Sequence, residues 1–191
     1  MSMGETMFQK LAAVSAALLL LTLAGCASDT PTAGAGAEAV SLAQSKSPVQ
    51  LLRNEAVSRL PRIIAQDVAE TSDTSVACLP AEEDPDGISR SWRSSLTLVV
   101  TNSRAASIND ATEGLVDSFV DQGWTATEDQ REGEPVPFTL ITSATSPVAI
   151  EVQQHPKTAD SKASITIVTS GPCVVTDGEG SDEVLALEGV G

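Results

Sequence analysis

Tyrosine is absent from this chain of 191 residues, and aromatic residues of every kind make up 3% of it. Beyond Phe8 the aromatic set is Trp92, Phe119, Trp124 and Phe138. Surfaces that hold sugars or peptides usually present exposed rings. Phe119, Trp124 and Phe138 sit in apolar patterns that read as core, which leaves Trp92 as the one ring for such a surface. Basic residues are also scarce, with 11 Lys and Arg against 26 Asp and Glu and a net charge of −15. A chain this acidic has no electrostatic footprint for a phosphate backbone, which argues against nucleic acid as a partner.

Reactive constellations are missing too. There is no Gly-x-Ser-x-Gly elbow, no Ser-x-x-Lys, no His-Glu-x-x-His, no phosphate loop and no dinucleotide fingerprint. The only imidazole, His155, precedes Pro156 at the end of a predicted strand and reads as a solvated residue. No Cys-x-x-Cys accompanies it, so the donor set does not suit zinc. Glu82, Glu83, Asp84 and Asp86 form an acidic turn that could supply oxygen ligands to calcium, but their spacing differs from an EF-hand loop. The expectation is a non-enzymatic chain without a cofactor.

What the chain does have is concentrated at its start. Lys10 precedes an apolar run over residues 11–21, and the run ends in Leu23-Ala24-Gly25-Cys26. The run has the length of a secretory leader core. The stretch from Lys10 to Cys26 is shorter than the roughly 20 apolar residues a spanning helix needs. Small residues at 24 and 25, Cys at 26 and the apolar core together resemble the signal peptide and lipobox of a bacterial lipoprotein. Glu5 departs from the usual basic start, and a start at Met7 would remove it. The resemblance implies removal of residues 1–25, lipidation of Cys26, and a protein held on the extracytoplasmic face of the cell membrane. Two acyl chains make such an anchor stable, since each buried CH₂ contributes about 0.8 kcal/mol. The acidity then reads as solubility outside the cytoplasm.

With Cys26 given to lipid, Cys78 and Cys173 remain, and an even pair in an exported protein reads as a disulfide. Two free thiols or a metal site are the alternatives.

Residues 26–46 are small and polar and read as a lipidated tether, with a coil span of roughly 25 Å. Structure is expected from Ser47-Pro48, with Ser as N-cap and Pro in the first turn. Val49, Leu52, Ala56 and Leu60 follow at helical spacing, and the pattern continues through Ile64 and Val68 past a break at Pro61. Thr74–Cys78 and Trp92–Thr101 read as a strand pair. Ser107 opens a second helix along Ile108, Ala111, Leu115 and Phe119, closed by Gly123 as a left-handed cap and Trp124 as its hydrophobic contact. Residues 124–128, 138–143, 148–155 and 163–170 alternate as antiparallel strands with one buried face. Residues 176–191 are acidic and Gly-rich and read as a mobile tail.

The pattern predicts an α+β fold: a two-layer sandwich over residues 47–175, with an antiparallel sheet of five or six strands and two helices on one face. The tether, the helix from Pro48, the Cys78 and Cys173 pair and Gly123-Trp124 after a helix resemble small secreted lipoproteins of actinobacteria, of unassigned function. That resemblance brings no catalytic motif. The function it implies is a membrane-anchored interaction module of the cell envelope, with another envelope protein as partner. The alternative is a carrier of a small apolar or lipid ligand held between helices and sheet.

Overall fold

The computed structural model describes residues 40–62, 64–100, 105–131, 133 and 136–189. Cys26, the leader and most of the expected tether lie outside them. The described residues form helices α1 (Leu42–Arg59), α2 (Ala105–Val120) and α3 (Asp182–Glu188). Their strands are β1 (Ala65–Ala77), β2 (Ser89–Val100), β3 (Thr125–Asp129), β4 (Phe138–Ser143), β5 (Ser146–His155), β6 (Ser164–Ser170) and β7 (Val174–Val175). This is the expected α+β class, with seven strands rather than five or six and a third helix.

The sheet is antiparallel in the order β1-β2-β6-β5-β4-β3, with β7 on the start of β2. Alternation sorts its residues. Leu98 and Val100 of β2, Ile165 and Ile167 of β6, and Ile150 and Val152 of β5 point to the helices. They meet Ala56 of α1 and Leu115 and Phe119 of α2 in one buried cluster. Burial of this apolar face is the main favourable term in the fold. Arg59 links the two helices: its guanidinium donates to Ser118 O at 2.8 Å and lies 3.8 Å from the Phe119 ring centre.

α2 closes as its sequence implies. Gly123 adopts φ +87°, and Trp124 N donates to Phe119 O at 3.1 Å, satisfying a helix-end carbonyl. The Trp124 ring then meets Phe119 edge-on, with centroids 5.4 Å apart. The helix starts at Ala105, ahead of the expected cap at Ser107.

α1 starts earlier than expected as well. Its cap is Ser41, in a capping box with Gln44, and Pro48 lies inside the helix. Residues 42–46 are therefore part of the domain rather than tether. Leu42 is buried against Trp92 and Val184, which offsets the backbone hydrogen bond that Pro48 cannot make. At the other end Leu60, placed before Pro61, is extended at φ −71° and ψ 139° and stops the helix. Ile64 and Val68 do not continue it. Val68 belongs to edge strand β1 and is 59% exposed.

The C-terminal segment is not a mobile tail. Thr176 N donates to Ile88 O at 2.8 Å, Glu179 N donates to Asp86 O at 3.2 Å, and α3 docks Val184 into a second cluster with Leu42, Val49, Trp92 and Val148.

Candidate functional site

Cys78 and Cys173 are bonded to each other, with Cα atoms 6.1 Å apart. Cys78 follows β1 and Cys173 precedes β7, so the bridge ties one edge of the sheet to the entry of the C-terminal segment. The sequence paired them correctly. Trp92 is different: it is wholly buried and does not offer its ring to a surface. Lys46 Nζ lies 4.5 Å above its centre.

The acidic turn is committed to its own backbone. Asp84 accepts from Ile88 N at 2.9 Å and from Ser89 N at 2.7 Å, and these bonds hold its carboxyl below the usual range. Among the described residues no group of three or more His, Cys, Asp or Glu is placed to hold a metal ion.

Among the described residues two concavities stand out. The larger, about 580 Å³, opens between the first turns of α2 and the ends of β3, β4 and β5 farthest from the disulfide. Ile108 and Val152 give it an apolar floor, Phe138 lies at its edge, and Asn109, Glu113, Glu128 and His155 stand at its rim. Thr112 stiffens one wall: its hydroxyl donates to Ile108 O at 2.7 Å and accepts from Gln154 Nε2. Gln153 Nε2 donates to Val136 O at 3.0 Å and pins the chain entering β4. Among the described lining residues there is no serine, cysteine, lysine or arginine. A space of this size and polarity suits a neutral or cationic organic molecule. His155, expected as a solvated strand end, is half-buried at this groove.

The second concavity, about 380 Å³, lies on the face of the sheet turned away from α1 and α2. That face is polar. Thr97 and Thr166 share a hydrogen bond of 3.0 Å, and Glu151 pairs with Arg93 at 3.5 Å and with Arg131. Phe138 is on this face too, since it opposes Gln153 while Ile141 opposes the inward Ile150. The Arg131 guanidinium covers the Phe138 ring at 4.4 Å, so the ring is buried without entering the main core. Phe138 and Leu140 therefore share one face of β4, and it is the outer one.

The buried charges were not legible in the sequence. Arg53 of α1 donates to Asp73 at 2.9 Å and to Ser94 Oγ at 2.7 Å beneath the helix. Burial pushes the Asp73 carboxyl up, but hydrogen bonds from Ser94, Gln50 and Arg53 outweigh it and hold it below its ordinary value. Near the disulfide, Arg90 donates to Ser75 Oγ at 2.8 Å, and Glu188 accepts from that same hydroxyl. Arg53 at helical spacing with Val49 and Ala56 was the one available signal.

No protein-family model, curated protein or solved structure matches the chain.

Proposed function

We propose that this protein is a lipid-anchored, extracytoplasmic interaction module of the cell envelope, held to the membrane through Cys26. The observation that carries the reading is the Leu-Ala-Gly-Cys end of the apolar leader, followed by a domain braced by Cys78–Cys173. A disulfide suits an oxidising compartment. A polar sheet face turned away from α1 and α2 suits contact with a partner. Because α1 begins at Leu42, less chain is left after Cys26 for a tether, and a coil of that length spans about 20 Å. The chain enters the domain at its disulfide end, and the larger groove opens at the opposite end.

Replacing Cys26 with Ala tests the reading. The variant should leave the membrane fraction, and the natural product should carry the mass of a diacylglyceryl group on Cys26. A Cys26→Ala chain that fractionates with membranes like the wild type would reject it. Crosslinking in the native envelope should then return a reproducible protein partner.

The groove of about 580 Å³ favours one second reading, a carrier of a small apolar ligand between α2 and the sheet. Native mass spectrometry of protein from its own envelope separates the two. Retained ligand supports the carrier; apo protein alone rejects it.

A further inference from the structure

α3 is seven residues long, far below the length at which an isolated helix persists in water. It exists because it is docked. Val184 is 0% exposed against Leu42, Val49 and Trp92, and Leu187 packs beside it one turn on. Lys46 Nζ donates to Leu187 O at 2.6 Å, meeting one of the carbonyls at the helix end. Glu188 Oε1 accepts from Thr74 Oγ1 at 2.9 Å, Ser75 N at 2.9 Å and Ser75 Oγ at 2.7 Å. Val184, Leu187 and Glu188 thus form a single contacting stripe at i, i+3 and i+4. The groove that receives them is built by α1 and the paired ends of β1 and β2.

Two buried donors beside this groove are left unmet. Among the described residues, two buried side-chain nitrogens lack an acceptor, Arg90 Nη1 and Trp92 Nε1. They stand two residues apart on β2, on the side that α3 covers. Arg90 is 4% exposed, and Glu179 Oε2, the carboxylate oxygen of its ion pair, lies 3.9 Å away, beyond hydrogen-bond reach. A buried donor left unmet costs about 1–3 kcal/mol. The groove is also cationic, with Lys46 and Arg90, in a chain of net charge −15. The residues just before α3 are held separately, through Thr176 to Ile88 and Glu179 to Asp86, and Cys173 is fixed by its disulfide. α3 can therefore leave its groove without unpairing the rest of the segment.

We propose that this groove is an exchangeable peptide site, filled in this structure by the chain's own α3. The partner it fits is an acidic, helix-forming segment of another protein. That segment carries two aliphatic residues one turn apart, a Glu directly after the second, and a further oxygen acceptor for Arg90. The inference supplies a partner chemistry for the interaction reading above. Its test involves neither anchoring nor an envelope, so the two can fail separately.

The probe is a fluorescein-labelled synthetic peptide of residues 181–191, titrated by anisotropy with the full-length chain in mild detergent. Wild type, Glu188→Ala and Val184→Asp are compared, each checked for native circular dichroism. Saturable binding is expected, at least tenfold tighter to both variants than to wild type, because their own α3 competes less. Adding Lys46→Glu to Glu188→Ala should weaken binding at least fivefold. Absence of saturable binding to a folded variant overturns the proposal, as does equal affinity for wild type and variants. Loss of the fold in both variants also overturns it, since α3 would then be core rather than occupant. Tight peptide binding without any crosslinked partner in the envelope would leave the exchangeable site standing and reject only the interaction reading.

Discussion

Arg53 of α1 and Asp73 of β1 form an ion pair of 2.9 Å beneath the helix layer, with the Ser94 hydroxyl bonded to both. Arg53 is almost fully enclosed and Asp73 about three-quarters so. Removing one partner leaves the other charge desolvated without compensation, which costs more than the pair contributes. Asp73→Ala should lower the stability of the domain by about 2–4 kcal/mol, read from urea unfolding. Arg53→Met with Asp73→Leu should recover much of that loss. If Asp73→Ala shifts the midpoint no more than an exposed-site control such as Asp160→Ala, the pair is not a stabilising contact.

Acid should act through the same carboxylates. Burial raises the Glu188 pKa, but the hydrogen bonds from Ser75 and Thr74 and the charge of Arg90 outweigh it and bring it below its ordinary value of 4.5. Asp73 is likewise held below 3.8. A carboxyl depressed in the folded state stabilises above its unfolded value, and that contribution disappears as pH falls through the folded one. Protonation also relieves the repulsion within a chain of net charge −15, which works in the opposite sense. The difference between two proteins is therefore the diagnostic. Glu188→Gln should melt below wild type at about pH 7, and the gap should close below about pH 4. A gap that stays constant down to about pH 2.5 would contradict the assignment.

The disulfide spans 95 residues of sequence. Closing a loop of that size removes enough unfolded-state entropy to stabilise by about 4–5 kcal/mol on the chain-entropy model. Reduction, or the double variant Cys78→Ser with Cys173→Ser, should lower the unfolding free energy by about that amount. Unfolding midpoints that coincide with and without reductant would show the bridge to be dispensable.

Phe119 joins α2 to both its neighbours, with Trp124 against its edge and Arg59 over its face. Phe119→Ala should cost about 3–5 kcal/mol through the cavity it leaves. It should also shift the emission of Trp124 to the red, as the indole loses its cover. A loss below about 1 kcal/mol would mean that the site collapses freely around the truncation.

Where local pattern and final environment agree, the sequence was readable. Leu96, Leu98 and Val100 alternate because β2 is a central strand with helices on one side and a polar face on the other. Gly123-Trp124 announced the end of α2, since a left-handed cap has few substitutes. β1 escaped notice over most of its length. As an edge strand, exposed along most of its described residues, it needs no apolar alternation, and Asp67 and Glu70 guard it against further pairing. Ile64 and Val68 then mimicked a helical spacing by chance. Ser41 and Gln44 form a recognisable capping box, but Ser47-Pro48 supplied a competing start of equal local merit.

The chain by itself determined its class: a long amphipathic helix, a set of alternating strands and two cysteines that find each other. The helix and the strands are decided by neighbours a few residues apart, whose side chains share a face whatever the rest does, and the cysteine pair by there being two left to bond. Only the folded molecule decided that the acidic end is structure. Glu188 is held by Ser75, 113 residues earlier, and Val184 by Leu42 and Trp92. A seven-residue helix has no stability of its own, so its existence depends on partners that the local sequence cannot name.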